Sequence, residues 1–145
     1  MVFKRPSKTR YYLDIAAVVS TRSTCLRRQY GAVIVKNDRI IATGYNGAAR
    51  GRDNCSDVGE CWRLTHGIPH GEQYEKCQAV HAEANAIASA DGEKMYGATL
   101  YLAGFEVDED GNRIQIADPK PCEMCDRLII NAGIKNVITK ESDLL

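Results

Sequence analysis

The chain has 145 residues, 44% hydrophobic and 26% charged, which suits one soluble globular domain over residues 1–145. Its formal net charge is zero, which argues against nucleic acid as a partner. No stretch is long and apolar enough to span a membrane and no signal peptide is recognised, so the six cysteines indicate a reducing cytoplasm.

The first half of the chain predicts one helix and one hairpin. Residues 11–24 have the apolar spacing of a helix, with Ser7 or Thr9 as its N-cap. A β-branched strand over 32–35 and a second strand over 39–45 flank a polar turn, which predicts a β-hairpin. Residues 46–78 are polar and rich in glycine, and such a long loop is usually functional or tied by a metal.

The second half predicts helices alternating with strands. The predicted elements are a helix over 79–90, a strand over 98–103, a small hairpin over 106–116 that turns at residues 110–112, a helix over 122–132 ended by Gly133, and a strand over 135–139. This order predicts an α/β domain with three layers, α/β/α, around one mixed sheet of about five strands.

Two short motifs carry the chemistry. His81 is followed by Ala82 and Glu83, and Pro121 precedes the pair Cys122 and Cys125. One imidazole and two thiolates make three zinc ligands, one fewer than a structural zinc site, so a fourth position is open to water. The two cysteines share one face of a helix's first turn, where the helix N-terminus stabilises a thiolate. We therefore predict two helices whose N-termini meet at one Zn²⁺.

Glu83 lies two residues after the first ligand, where a carboxylate can move a proton. Zinc lowers the pKa of bound water to about 7. The combination is similar to the signature of zinc-dependent nucleobase deaminases, in which such a glutamate is the general acid and base. Glu83 would take the water's proton, deliver it to N3 of cytosine and then pass a proton to the leaving ammonia. Such proton transfer typically accelerates a reaction by about 100- to 10,000-fold.

Each piece alone has a simpler explanation. A Cys-x-x-Cys pair also occurs in redox motifs and as half of a structural zinc site. A lone histidine is more often a core residue, and a lone glutamate a solvated helix residue. The conjunction of all four residues favours the catalytic zinc.

With three further segments, these motifs resemble the cytidine and deoxycytidylate deaminase superfamily, and deoxycytidylate deaminases most closely. The further segments are 30–35, 44–47 and 131–134, and the resemblance runs from about residue 11 to residue 139. It implies a cytidine-deaminase-like fold and zinc-dependent hydrolysis of dCMP to dUMP with release of ammonia. Two segments depart from the family: 105–120 is longer than the usual link before Pro-Cys, and 50–78 is distinctive.

The resemblance also implies roles for individual residues. His81, Cys122 and Cys125 become the zinc ligands, and Glu83 the general acid and base. Asn46 would contact the sugar, and the backbone of Ala82 the base. Residues near a regulatory site for dCTP and dTTP would be Gly44, Tyr45 and Gly47. The family further implies a homo-oligomer, either a hexamer or a dimer.

A nucleotide monophosphate needs arginines or backbone N–H groups at a defined distance. Arg27 lies between the first helix and the first strand, near Asn46 along the predicted hairpin. We assign the phosphate to Arg27, with Arg28 and Arg22 as the next candidates. The alternative is a solvated basic turn.

Four cysteines remain outside the predicted catalytic site: Cys25, Cys55, Cys61 and Cys77. They would form a second, closed zinc site that pins the long loop against the first helix. His66 and His70 are spaced i, i+4 and would replace one or two cysteines if their segment is helical. The alternative is a set of buried or free thiols.

Two other functions compete with dCMP deamination. The same chemistry would serve a free nucleoside, dCTP, a modified pyrimidine nucleotide or a base in nucleic acid, the last disfavoured by the zero net charge. A non-catalytic zinc protein that senses nucleotides would need a damaged Glu83 or a damaged ligand, and both motifs are intact.

Overall fold

The computed structural model describes residues 2–143, so Met1, Leu144 and Leu145 of the predicted domain lie outside the described residues. The elements in chain order are α1 (Lys8–Ser20), β1 (Arg28–Lys36), β2 (Arg39–Tyr45), β3 (Gly47–Ala48), α2 (Cys55–Val58), α3 (Trp62–Thr65), a 3-10 turn (Tyr74–Lys76), β4 (Ala79–Val80), α4 (Ala82–Ser89), α5 (Gly92–Met95), β5 (Thr99–Val107), β6 (Arg113–Gln115), α6 (Glu123–Asn131) and β7 (Asn136–Ile138).

Five strands form one mixed sheet. Its order is β2–β1–β5, and both β6 and β7 pair with the outer edge of β5. β6 lies against residues 105–107 and β7 against residues 99–101. The β5–β7 pair is parallel, and the other pairs of this sheet are antiparallel. The predicted mixed sheet and both predicted hairpins are therefore confirmed.

The sheet is covered by helices on both faces. Alternate residues of β1 and β5 point to opposite sides, as the pleat requires. On one side, Val33 and Tyr101 pack with Tyr12 of α1. On the other side, Ile34 and Leu100 belong to the cluster that contains residues of α4 and α6. The predicted three-layer α/β/α architecture is confirmed. None of the helices within residues 2–143 has the length and apolar character needed to cross a bilayer.

The first helix is confirmed with shifted ends. It begins at Lys8 because the Ser7 hydroxyl accepts a hydrogen bond from the Arg10 backbone N–H at 3.1 Å. It ends at Ser20, not at residue 24, where the hydroxyls of Ser20 and Thr21 bond to carbonyls of the last turn. The first strand is longer than predicted, because β1 pairs with β5 from Arg28 onward.

The predicted helix over 79–90 is wrong at its start. Residues 79 and 80 are β4, which pairs with β3, so Ala79 faces Ala48 and Val80 faces Gly47. The helix α4 begins only at Ala82, after His81. The segment predicted as a loop over 46–78 contains β3, the short helices α2 and α3, and a 3-10 turn. The sequence prediction also missed α5, which is capped by the side chain of Asp91.

Gly44 allows α4 to lie very close to β2. A Cβ atom at this position would lie 2.5 Å from the carbonyl oxygen of Ala82 and 2.9 Å from the Cα of Ala86. Both atoms are backbone, so neither can rotate away. The glycine thereby sets the depth at which the first turn of α4, including Glu83, sits on the sheet.

Replacing Tyr12 with phenylalanine should lower the free energy of unfolding by about 1–2 kcal/mol near neutral pH. The buried Tyr12 donates a hydrogen bond to Asp38 Oδ1 at 2.7 Å, which joins α1 to the β1–β2 turn. Burial, assisted by Asp38, raises the pKa of Tyr12 from 10.0 to about 12. The wild type should therefore lose this stabilisation as the pH rises through 10 toward 12. Urea unfolding at several alkaline pH values tests this, since the difference between the two proteins should shrink in that window.

Candidate active site

Three potential metal ligands meet where two helices begin. His81 is the residue that precedes α4, Cys122 precedes α6, and Cys125 lies in the first turn of α6. The Nδ1 atom of His81 lies 3.4 Å from the Sγ atoms of both cysteines. The three ligand atoms all lie within 4.8 Å of one another. The meeting of two helix N-termini predicted from the sequence is confirmed.

The backbone around His81 is held firmly. The Asn85 backbone N–H donates to the His81 carbonyl at 3.0 Å. The Asn85 side chain donates to the carbonyl of Tyr45 at 2.8 Å, which ties α4 to the end of β2. With the close packing at Gly44, these bonds fix His81 and Glu83 relative to the sheet.

The donor set fits a catalytic zinc ion. One imidazole nitrogen and two sulfurs are the ligand types zinc prefers, and within residues 2–143 no carboxylate or further cysteine completes a closed four-ligand set. Burial raises the pKa of the Cys125 thiol, and the nearby Glu83 and Cys122 raise it further. A divalent cation would reverse this, because it stabilises the Cys125 thiolate that the protein alone disfavours.

Glu83 is buried beside this set. Its side chain lies in the first turn of α4, and the residue is 5% exposed. Burial raises the pKa of its carboxyl, while His81 and a hydrogen bond with Cys125 oppose part of that rise. A buried carboxyl whose pKa is raised holds a proton more readily than a solvated one, which suits a general acid and base.

These residues lie in a cleft of about 390 Å³. That volume is in the range of small-molecule sites. The cleft brings together residues that are distant in the sequence, including four cationic side chains. It is lined by Cys25, Arg27, Arg28, Tyr30, Asn46, Cys61, Arg63, His70, Tyr74, Cys77, Ala79, His81, Glu83, Glu106, Ile116, Asp118, Pro119, Lys120 and Cys122.

Asn46 reaches the cleft, and its side chain also bonds to the backbone. Its Oδ1 accepts from the Tyr30 backbone N–H, and its Nδ2 donates to the Arg28 carbonyl, both at 2.8 Å. These bonds join the end of β2 to the start of β1 and leave one amide proton for a ligand. Ala82 is fully buried at the start of α4.

The candidate phosphate residues differ in their surroundings. Arg28 donates to Glu106 at 3.1 Å and contacts Nε2 of His70 at 2.9 Å, so its guanidinium is already engaged. Arg27 lines the cleft and forms no ion pair within residues 2–143. Arg22 is exposed and does not line the cleft. Arg27 is therefore the best placed of the three.

The three residues predicted to lie near an effector site, Gly44, Tyr45 and Gly47, mostly contact neighbouring elements of the fold. Gly44 is buried under α4, as described above. A Cβ at Gly47 would lie 2.9 Å from Thr24 Oγ1, so this glycine lets the loop after α1 approach β3. Tyr45 is 36% exposed and its carbonyl accepts from Asn85.

The remaining cysteines gather around the same loop. Burial raises the pKa of Cys55, and Cys25, Cys77 and Cys61 are near enough to raise it further. In the described part of the chain, no three of these four sulfurs come within 4.8 Å of one another. His66 stacks on Trp62 with ring centroids 4.1 Å apart, and His70 contacts Arg28. The structure therefore clusters the four thiols without closing them into a metal cage.

Sequence reasoning missed several residues of the cleft. Arg63, Tyr74 and Glu106 reach it from the long loop and from β5. Among these three residues, only Tyr74 had a feature in the sequence that could have indicated a place in the cleft, since it lies shortly before the His81 motif. The longer segment 105–120 provides one wall, through the three residues Ile116, Asp118 and Pro119 and through Lys120.

Comparisons with known proteins agree with this geometry. Residues 6–141 match the family model described as the cytidine and deoxycytidylate deaminase zinc-binding region. The chain is 39% identical over 143 residues to the deoxycytidylate deaminase of Mycobacterium phage D29, covering 95% of this chain and 98% of that protein. It is 35% identical over 134 residues to the deoxycytidylate deaminase of Schizosaccharomyces pombe, covering 92% of this chain but only 37% of that longer protein.

A solved structure is similar as well. The crystal structure of dCMP deaminase from the cyanophage S-TIM5 in complex with dCMP and dUMP superposes with a TM-score of 0.66 at 27% sequence identity. The match covers 94% of this chain and 83% of the cyanophage chain.

Proposed function

Because the chain belongs to the cytidine and deoxycytidylate deaminase family, we propose that it hydrolyses dCMP to dUMP and ammonia in pyrimidine deoxynucleotide metabolism. One observation carries the proposal: the three potential zinc ligands meet beside the buried carboxyl of Glu83, in a cleft lined by arginines. The phage D29 and fission yeast relatives are named deoxycytidylate deaminases, and the cyanophage structure holds dCMP and dUMP, which supports a nucleotide substrate.

The residues of the chain divide the work of this reaction. His81, Cys122 and Cys125 would hold the zinc ion, which would lower the pKa of a coordinated water to about 7. Glu83 accepts one proton of the water and delivers it to N3 of the cytosine ring. It then accepts the second proton, from the hydroxyl newly formed on C4, and gives it to the leaving nitrogen. The oxygen of water bonds to C4, and the bond between C4 and the exocyclic nitrogen breaks to release ammonia.

The test is to offer dCMP, deoxycytidine and dCTP to the purified protein in parallel. Absorbance and ammonia release report turnover, and Glu83→Ala is the inactive control. Turnover of dCMP that disappears in the variant is the expected result. Faster turnover of deoxycytidine or dCTP would assign a different cytosine substrate. No turnover of any of the three by zinc-loaded protein would favour a nucleotide-sensing role.

Replacing Arg27 with alanine should raise the KM for dCMP by about 10- to 100-fold, the loss expected for a charge-assisted hydrogen bond to a phosphate. The KM for deoxycytidine should change little, because the nucleoside lacks the phosphate. Arg22→Ala is the matched control, since Arg22 lies outside the cleft lining. Steady-state kinetics with both substrates measures the effect, and equal changes for the two would remove Arg27 from the phosphate site.

A second, structural zinc at Cys25, Cys55, Cys61 and Cys77 remains a proposal. The clustering of these thiols supports it, although their sulfurs would have to approach one another when the metal binds. Elemental analysis of fully loaded protein decides the matter. Two zinc ions per chain are expected, and one would reject the second site.

Self-association is also proposed. Apolar side chains on α6 are exposed, with Met124 43%, Leu128 44% and Ile130 68% accessible, which supports contact with a second copy. Sedimentation velocity should give the mass of a hexamer or a dimer, and a monomer at working concentration would contradict this. Regulation by dCTP and dTTP near Gly44, Tyr45 and Gly47 and the cytoplasmic location stay predictions.

A further inference from the structure

Residues 67–74 form a segment that lies beside the cleft with almost no apolar packing. His70 and Tyr74 of this segment line the cleft. No residue of the segment belongs to either hydrophobic cluster of the core, and most are exposed. A segment with so few apolar contacts needs another anchor to hold its side chains in one place.

Arg63 is that anchor. The residue is 7% exposed, and its Nε donates to the Glu72 carbonyl at 3.0 Å while Nη2 donates to the Pro69 carbonyl at 3.1 Å. Its guanidinium also lies over the Tyr74 ring, with Cζ 4.5 Å from the centroid. Arg63 forms no ion pair with a carboxylate of residues 2–143, so the bonds of this buried charge are directed at the segment itself.

Two side chains of this segment, His70 and Tyr74, touch residues of the cleft. His70 contacts the guanidinium of Arg28 through Nε2, while Arg28 also bonds to Glu106 across the β1–β5 pair. The Tyr74 ring meets the His81 ring edge-on, with centroids 5.3 Å apart. Arg63 therefore bonds to the backbone of Pro69, the residue before His70, and stacks on Tyr74, while His70 and Tyr74 contact Arg28 and His81 in turn.

We propose that Arg63 is a positioning residue for nucleotide binding, which holds His70 against Arg28 and Tyr74 against His81 before the substrate arrives. This inference rests on the proposed function. A preorganised segment spares the substrate the entropy cost of ordering it, so losing Arg63 weakens binding. The zinc ligands and Glu83 are carried by α4, α6 and the residues before them, not by this segment. The effect therefore falls on KM more than on kcat.

The experiment compares Arg63→Ala with Arg52→Ala, an exposed arginine of the same loop that does not line the cleft. Arg63→Ala should raise the KM for dCMP about tenfold or more with a smaller change in kcat, and Arg52→Ala should behave as the wild type. Millimolar guanidinium should restore the KM of Arg63→Ala, because the vacated position opens on the cleft. Methylammonium at the same concentration should not, since its single nitrogen lacks the planar fork through which Nε and Nη2 reach the two carbonyls.

Amide hydrogen exchange gives a readout without turnover. Peptides covering residues 67–74 should exchange faster in Arg63→Ala, while those of β1 and β5 should not change. Arg63→Lys, which keeps the charge, serves if the alanine variant does not fold, and it should show the same local increase. Unchanged exchange of residues 67–74, or a fall in kcat with unchanged KM, would overturn the inference. Wild-type protein that fails to deaminate dCMP would overturn the proposed function instead, and the exchange result would still judge whether Arg63 anchors the segment.

Discussion

Replacing Glu83 with glutamine should lower the kcat for dCMP by about 100- to 10,000-fold, the range expected when a positioned general acid and base is lost. Glutamine has nearly the same shape, so it fills the same buried space in the first turn of α4. It cannot accept and return a proton, so neither N3 nor the leaving amine is protonated by the protein. Zinc content and the KM for dCMP should remain close to those of the wild type.

Stopped-flow or steady-state kinetics with elemental analysis of the same sample makes this measurement. Glu93→Gln is a matched control, because Glu93 also lies in the first turn of a helix but is exposed and outside the cleft. A Glu83→Gln variant that keeps its zinc and retains most of its kcat would show that another group carries the proton.

Replacing Cys125 with alanine should remove one zinc ion per chain and reduce deamination to the background rate. Cys125 is 1% exposed, and its Sγ lies 3.4 Å from the Nδ1 of His81. Loss of one of three ligands leaves two donors, which is too few to hold a catalytic zinc ion. The variant should also melt at a lower temperature, because a metal held by His81, Cys122 and Cys125 would stabilise the native state by linking the start of α4 to the start of α6.

Removal and return of the metal provides the comparison. Wild-type protein treated with a chelator should lose activity and regain it when zinc is added, whereas the Cys125→Ala variant should not respond. Full activity in a variant that has lost the metal would contradict the assignment of this site.

The sequence predicted the scaffold well because its signals are local. The apolar run at residues 32–35 is buried on both faces of the sheet, as expected for a strand between two helical layers. The His81 and Cys122 motifs could be recognised from the sequence because each places its potential ligands within a few residues of a helix start.

The errors arose where distant residues decide the structure. Nothing near Ala79 and Val80 reveals that they pair with Gly47 and Ala48, more than thirty positions earlier. The role of Arg63 depends on two backbone carbonyls and one ring that only the folded loop brings to it. An arginine in a polar loop has no sequence feature that distinguishes a buried anchor from a solvated side chain.

The region from residue 49 to residue 78 supplies one wall of the cleft yet contributes nothing to either hydrophobic cluster. This separation has a consequence for how such an enzyme can diversify. Mutations in this region change the shape of the cleft in which a substrate binds, but they do not alter the packing of the hydrophobic core. A directed-evolution library of this region that keeps Cys55, Cys61, Cys77 and Arg63 should therefore yield a high fraction of folded variants. Selection of these variants on other pyrimidine nucleotides would change substrate recognition, while Glu83 and the three potential zinc ligands would stay the same.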